Sequence, residues 1–282
     1  MIRIYKNLST KFLNMVNSSK PLQLKINDLF RKKTFLFNTK HCQLCDEVTQ
    51  SNHFFCNDCY TDLPRSQTKC IICCLPLVLA HKRTLTHPER PKPRLICGEC
   101  LTSPPSFTVT VCPFIYEFPV KQLIRQIKYS KRRFWIKPLC LVLNQELIQI
   151  SEIENLSKPD LLIPIPMHKT KHKKRGYNQA ELIADYLSKT TNITVSKNSL
   201  IKTRLTETQA QLNKQDRMKN LSGSFNISQK ASRQSSLIGK HIALVDDVMT
   251  TKATCELASK LLLEHGAKQV DVWCLARTPK MK

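Results

Sequence analysis

Residues Ile242-Ala-Leu-Val245 form an unbroken apolar run that passes directly into two adjacent carboxylates, Asp246 and Asp247, and then into the turn Val248-Met-Thr-Thr-Lys-Ala-Thr254. An apolar strand with acids at its carboxyl end, followed by a hydroxyl-rich turn that opens a helix, is how an α/β fold presents a ligand at the edge of its sheet. Two neighbouring carboxylates can each accept a hydrogen bond from one of the vicinal hydroxyls of a ribose. Thr250, Thr251, Lys252, Ala253 and Thr254 meanwhile offer hydroxyls and the free N–H groups of a helix start to a phosphate. A ribose 5-phosphate meets both demands; the alternative is an acidic cap after a buried strand, where Asp and Thr are favoured in any case.

Cysteine spacing sets the second constraint. Cys42-x2-Cys45 and Cys56-x2-Cys59 lie ten residues apart, and each CxxC bends the backbone so that two thiolates converge on one metal. Two such knuckles complete a tetrahedral site of the zinc-ribbon type, with His41 and His53 left beside it. A second set, Cys70-x2-Cys73 and Cys97-x2-Cys100, is separated by a 23-residue spacer carrying His81, His87, prolines and basic residues. That spacer reads as an extended loop and predicts a looser second site. Spacing alone leaves sequential and interleaved pairing open, sequential being the simpler. All eight thiolates read as structural zinc ligands, because a catalytic zinc keeps an open position. Cys74 is the spare thiol.

Charge locates the partners. The chain of 282 residues has a formal net charge of +24, which favours an anionic partner such as nucleic acid. Residues 1–40 hold nine Lys and Arg against one acid, residues 41–115 seven against six, and residues 116–282 twenty-nine against fourteen. The excess therefore belongs to the two ends and not to the Cys-rich middle. No apolar run approaches the roughly 18 residues of a membrane span, and the N-terminus lacks a sustained apolar signal region. The thirteen cysteines of a chain this long then read as those of a reducing, cytoplasmic protein. Three parts are expected: a basic N-terminal extension over 1–40, a Cys-rich module over 41–104, and an α/β domain over 105–282.

Beyond Pro104-Pro105, the stretch from Phe107 to Tyr116 alternates like a strand, and Val120 to Pro138 is helical in pattern with seven Lys and Arg and no acid. Lys128, Arg132, Arg133, Phe134 and Trp135 combine cations with aromatic faces, the mixture that grips single-stranded nucleic acid by phosphate contact and base stacking. Leu161 to Met167 reads as a buried strand ending at its prolines. A basic loop from His168 to Arg175 follows, and Gly176 leads into a helix over Tyr177 to Leu187. Five cations and two histidines occupy eight consecutive positions there. A density that includes His168, Lys169, Lys171, Lys173, Lys174 and Arg175 between a strand end and a helix start suits a polyanion such as pyrophosphate or a nucleic-acid backbone. Leu200 to Phe225 is polar and long enough to fold over the anion site, with Arg204, Gln209, Arg217 and Asn220 spread along it. Thr254 to His265 reads as a helix and Gln269 to Ala276 as the last strand.

Taken together, the paired CxxC knuckles, Ile-Pro-Ile-Pro-Met-His168, Arg175-Gly-Tyr-Asn-Gln179, the set Arg204, Gln209, Arg217 and Asn220, Val245-Asp-Asp-Val-Met-Thr-Thr251 and Leu275-Ala-Arg277 resemble the ComF family of competence proteins. The resemblance runs from about Cys42 to Arg277. It implies a zinc ribbon joined to a type I phosphoribosyltransferase-like domain with a parallel sheet, acting on incoming single-stranded DNA during natural transformation. By the same resemblance, Asp246 and Asp247 would hold the ribose hydroxyls of phosphoribosyl pyrophosphate and Thr250 to Thr254 its 5-phosphate. His168, Lys169 and Arg175 would face the pyrophosphate with Arg204 and Arg217 in the cover above it, and Mg2+ would accompany the diphosphate.

One position departs from the family pattern: Lys252 stands where that pattern has glycine. If the position needs a positive φ, a side chain there costs about 1–2 kcal/mol and crowds the phosphate. The absence of a recognisable base-binding hood points the same way, to ligand grip before turnover. Active transfer to a nucleobase, and a zinc-dependent adaptor for partners such as the uptake helicase, are the alternatives.

Overall fold

A computed structural model describes residues 40–49, 54–77, 95–203, 223–233 and 236–280. The expectations placed on residues 1–39, on His53, His81 and His87, and on Arg204, Gln209, Arg217 and Asn220 lie outside the described residues. The chain divides into two compact units, Met1–Leu63 and Pro64–Lys282. The division falls inside the Cys-rich region, so the second cysteine set belongs with the α/β unit.

In the first unit, β1 (Lys40–His41) pairs antiparallel with β2 (Val48–Thr49), and α1 (Asn57–Thr61) starts at Cys56. The knuckle between the strands closes where the Asp46 N–H donates to the Cys42 carbonyl at 2.9 Å. Asp46 sits there at φ 63, a left-handed conformation that a short polar side chain tolerates. The second unit opens with the same construction. Cys74 N–H donates to the Cys70 carbonyl at 2.9 Å with Cys74 at φ 53, and α2 (Gly98–Thr102) starts at Cys97.

The α/β body follows with β3 (Thr110–Val111), β4 (Phe114–Ile115), α3 (Val120–Tyr129), a 3-10 turn at Arg133–Trp135 and α4 (Ile136–Glu154). Next come β5 (Leu161–Pro164), α5 (Lys169–Arg175), α6 (Gln179–Thr191), β6 (Thr194–Val195) and the antiparallel pair β7 (Leu200–Lys202) and β8 (Phe225–Ile227). The last elements are α7 (Gln229–Arg233), β9 (His241–Met249), α8 (Ala253–Glu264) and β10 (Gln269–Arg277). Val120 to Pro138 is thus two helices with a 3-10 turn between them.

The strands form a parallel sheet in the order β3-β10-β9-β5-β6, with β4 also pairing along β10. Strands buried on both faces read as near-continuous apolar runs, as Ile242 to Val245 and, beyond the buried Asp271, Val272 to Ala276 do. A buried cluster joins Ile242, Leu244, Val270 and Val272 of the sheet to Ala258 and Leu262 of α8 and to Cys70, Cys73, Cys97 and Cys100. Helices α4 and α6 pack on each other and on the sheet outside that cluster. Among the described residues, no helix is long and apolar enough to cross a membrane.

Strand order positions the site. From β5 the chain moves outward to β6, whereas from β9 it moves the other way to β10. The crevice beyond the carboxyl ends of β5 and β9 is therefore a topological switch point, where open α/β sheets place their ligands.

Candidate functional site

Asp246 and Asp247 lie within β9, which runs on to Met249 instead of stopping at Val245. The Asp247 N–H donates to Asp246 Oδ1 at 2.8 Å. Burial first, then the neighbouring charge of Asp247, push the Asp246 carboxyl up to about 7. Asp247 is paired directly with Lys128 of α3, Nζ to Oδ2 at 2.9 Å. Burial works against the Lys128 charge, but Asp247 and Asp246 outweigh it and hold the ammonium above the usual lysine range.

This pairing corrects the nucleic-acid role expected for Lys128, whose side chain is only 20% exposed. Its charge is committed to the carboxylates. Lys202 of β7 is a further cation here that sequence reasoning missed. Burial and the like charge of Lys171 on α5 push it below the usual lysine range, while Asp246 pulls it back up. Cations from α3 and β7 thus act on one acid pair. Lys202 sits in an ordinary polar stretch, and no sequence signal marks it.

The turn after β9 departs from expectation at Lys252. Its φ of −69 and ψ of −14 are right-handed helical, so the side chain carries no left-handed strain. The ammonium turns toward the second cysteine set. It lies 3.4 Å from Cys100 Sγ and 3.4 Å from Glu99 Oε1. No side chain caps α8, which leaves the first N–H groups of that helix to whatever sits on the turn of Thr250, Thr251, Ala253 and Thr254.

The basic segment after β5 is a helix, α5, not a loop. His168 starts it, its Nδ1 accepting from the Thr170 N–H at 3.3 Å, and Gly176 ends it at φ 83. Four basic residues in the last turn, His172 to Arg175, suit the negative end of the helix dipole. Replacing Gly176 with alanine is expected to lower stability by about 1–2 kcal/mol, read as a shifted urea midpoint, because only glycine adopts that φ freely. Lys169, Lys173 and Lys174 are exposed and His168 and Lys171 half-buried. Arg175 donates to Gln179 Oε1 at 2.7 Å and stacks 5.4 Å from the Tyr129 ring.

Trp135 is fully buried and donates its indole N–H to Gln126 Oε1 at 2.8 Å, so it cannot stack on a base. Two exposed aromatics here are its neighbour Phe134 and Tyr129, at 54% and 71%. Arg132 lies 3.5 Å from Gln126 Oε1, while exposed Arg133 stacks 4.2 Å over Tyr177. The rim formed by α3, the 3-10 turn and α5 therefore carries cations and two aromatic faces, Tyr129 and, of the adjacent pair Phe134 and Trp135, only Phe134.

Both cysteine sets assemble sequentially, Cys42, Cys45, Cys56 and Cys59 in one cluster and Cys70, Cys73, Cys97 and Cys100 in the other. Within each, all four Sγ atoms lie within 4.8 Å of one another. Cys45 and Cys56, and Cys73 and Cys97, have their sulfurs 3.7 Å apart. A tetrahedral ion with bonds of about 2.3 Å sets its sulfurs about 3.8 Å apart, so both donor sets fit a metal ion. Hydrogen bonding from Cys59 holds the Cys42 thiol down to about 4, and Cys73 does the same for Cys70. The second cluster is the more enclosed: all four cysteines are buried, against two of four in the first. The long spacer does not loosen it, because its two knuckles pack into the core of the sheet. His41 stays outside the first cluster, half-exposed against the Asp46 carbonyl, and Cys74 is buried, donating to the Thr110 carbonyl at 2.8 Å.

No family model matches the chain. The DNA utilization protein YhgH of Shigella flexneri is 32% identical over 238 residues, which cover 84% of this chain and 96% of that protein. Competence protein F of Haemophilus influenzae is 34% identical over 182 residues, 64% of this chain and 78% of its own length. Competence protein ComFC of Bacillus subtilis is 34% identical over 119 residues, 42% of this chain and 45% of that one. Among solved structures, a purine phosphoribosyltransferase from Pyrococcus horikoshii covers 51% of this chain and 84% of its own, at 16% identity and a TM-score of 0.29.

Proposed function

Because the chain belongs to the family of the competence and DNA utilization proteins, we propose that it handles incoming single-stranded DNA, with a phosphoribosyl pyrophosphate or related phosphate ligand held in the β5–β9 crevice. The observation that carries this reading is the pairing of Lys128 with Asp247, with Lys128 and Lys202 both acting on Asp246, at the switch point of the sheet. The carboxylates would take the ribose hydroxyls, with Mg2+ accompanying the diphosphate. The uncapped start of α8 would take the 5-phosphate, and His168, Lys169 and Arg175 the pyrophosphate side. Single-stranded DNA would run along the rim, its phosphates on Arg132, Arg133, Lys173 and Lys174 and its bases against Phe134 and Tyr129. Zinc fits the two thiol clusters as a structural ion. All thirteen cysteines are free, which supports a reducing compartment such as the cytoplasm.

The test is a binding titration with labelled single-stranded DNA, with phosphoribosyl pyrophosphate as competitor. Each phosphate contact on a single strand contributes about −0.7 to the slope of log affinity against log salt. With about five contacts, affinity is expected to fall about 100-fold between 50 and 200 mM salt. Phe134→Ala is expected to remove about 1–3 kcal/mol of stacking at unchanged salt slope. Binding that ignores salt would refute the rim as a nucleic-acid surface.

Turnover is the second reading, and the geometry of Lys252 favours it more than the sequence did, since an unstrained turn leaves the phosphate position uncrowded. A transferase would release pyrophosphate from phosphoribosyl pyrophosphate with some acceptor base, and Asp247→Asn would abolish that release. No release from the unmodified protein across a panel of bases would remove this reading.

A further inference from the structure

The turn that follows β9 is held from behind by the second cysteine cluster. Lys252 is 10% exposed on its side chain, and its ammonium is shared between Cys100 Sγ and Glu99 Oε1, each at 3.4 Å. Arg277, 5% exposed at the end of β10, makes the complementary tie. Its Nε donates to the Cys73 carbonyl at 3.0 Å, and its Nη1 to the carbonyls of Met249 at 2.9 Å, Thr250 at 2.6 Å and Thr278 at 3.1 Å. Glu256, one turn into α8, accepts from the Ser106 N–H at 2.8 Å and its hydroxyl at 2.7 Å, just beyond α2. One face of the turn is left for a ligand, while the opposite face is bonded to both knuckles.

We propose that Lys252 is a positioning residue that couples metal occupancy of the Cys70, Cys73, Cys97 and Cys100 cluster to phosphate binding on the Thr250 to Thr254 turn. Four thiolates around a divalent ion carry a net charge of −2, and a buried charge of that size needs a cation beside it. Lys252 supplies one from the phosphate turn itself, and Arg277 ties the Cys73 carbonyl to the same turn. With the ion gone, the knuckles lose the bonds that fix their positions, and the backbone of Met249 to Ala253 loses its support. Linkage then works in both directions: a phosphate ligand that orders the turn also retains the metal. A glycine at this position would make no such contact, so the coupling belongs to chains that carry the lysine.

The ligand half of this inference rests on the sugar-phosphate reading; the metal half stands on the contacts alone. The test follows zinc release from the full-length protein to a chromogenic chelator, with a Cys45→Ser variant identifying the phase that comes from the second cluster. Lys252→Gly is expected to speed that phase about tenfold and leave the first cluster's phase unchanged, since removing a group that contacts a metal ligand costs 10–100-fold in metal affinity. Lys252→Arg is expected to restore slow release. Saturating phosphoribosyl pyrophosphate is expected to slow the second phase in the parent protein and not in Lys252→Gly. If calorimetry shows phosphoribosyl pyrophosphate bound to the parent while Lys252→Gly releases zinc at the parent rate, or keeps the full protection, the coupling is overturned and the sugar-phosphate reading survives. If the parent binds no phosphoribosyl pyrophosphate, both fall.

Discussion

Replacing Cys100 with serine is expected to remove one of about two bound zinc equivalents and, with it, the cooperative unfolding of the whole α/β unit. The second cluster is not an appendage of that unit. Its four cysteines are buried in one cluster with Leu244, Met249 and Val272 of the sheet and Leu262 of α8. A structural zinc contributes about 10–16 kcal/mol of apparent binding energy at neutral pH, whereas a domain's net stability is about 5–15 kcal/mol. Losing the ion therefore removes as much as the fold has to spare. Cys45→Ser is the contrast. It also loses one equivalent, but its cluster lies in the separate unit ending at Leu63, so the α/β transition should remain. Elemental analysis and calorimetry on the two variants separate the cases. A Cys100→Ser protein that melts at the parent temperature would refute a structural role for the second cluster.

Asp246→Asn is expected to do two opposite things: abolish binding of phosphoribosyl pyrophosphate and stabilise the empty protein above pH 7. Burial and Asp247 raise the Asp246 carboxyl from its usual value near 4 to about 7. Between those limits the folded chain keeps a proton that the unfolded chain has lost. Stability from this group is fully present below about pH 4 and falls as pH rises through 7. At about 1.4 kcal/mol per pH unit the cost is on the order of 2–4 kcal/mol at pH 8, the lower figure allowing for the partly exposed position. An asparagine ionises at no pH, so the variant should have a higher urea midpoint at pH 8 and a flat profile between pH 5 and 8 where the parent declines. A parent profile that is already flat would mean that Asp246 is not strained by its neighbours. Sites built for ligands commonly carry such a cost.

Much of this was legible in local pattern. The apolar run into Asp246 marked the central strand, because strands buried on both faces cannot alternate. The CxxC pairs marked both thiol clusters, because knuckle geometry is set within four residues. What escaped depended on contacts between residues far apart in the chain. Lys128 is a cation on a basic helix until Asp247, 119 positions later, is folded against it. Lys202 has no motif at all. Trp135 and Phe134 are adjacent aromatics, and only the packing beneath α3 decides which is buried; Gln126 settles it by accepting the indole N–H. Charge alone makes the basic run after β5 look like a loop, whereas the caps at His168 and Gly176 make it a helix. Lys252 was judged by the backbone a glycine would need, whereas the turn here is right-handed and the side chain has a destination elsewhere.

The strand order also sets the timing of assembly. Strand β3 pairs with β10, so Thr110 waits for Val272, 162 positions further along. At about 5–20 residues per second, a ribosome takes roughly 8–32 s to deliver that partner. Throughout the interval Val111 and Phe114, almost fully covered in the finished sheet, face no strand on that side. Closing so long a loop late in synthesis makes a slow, aggregation-exposed folder, and the yield of this protein in a cell should depend on how well that early edge is chaperoned.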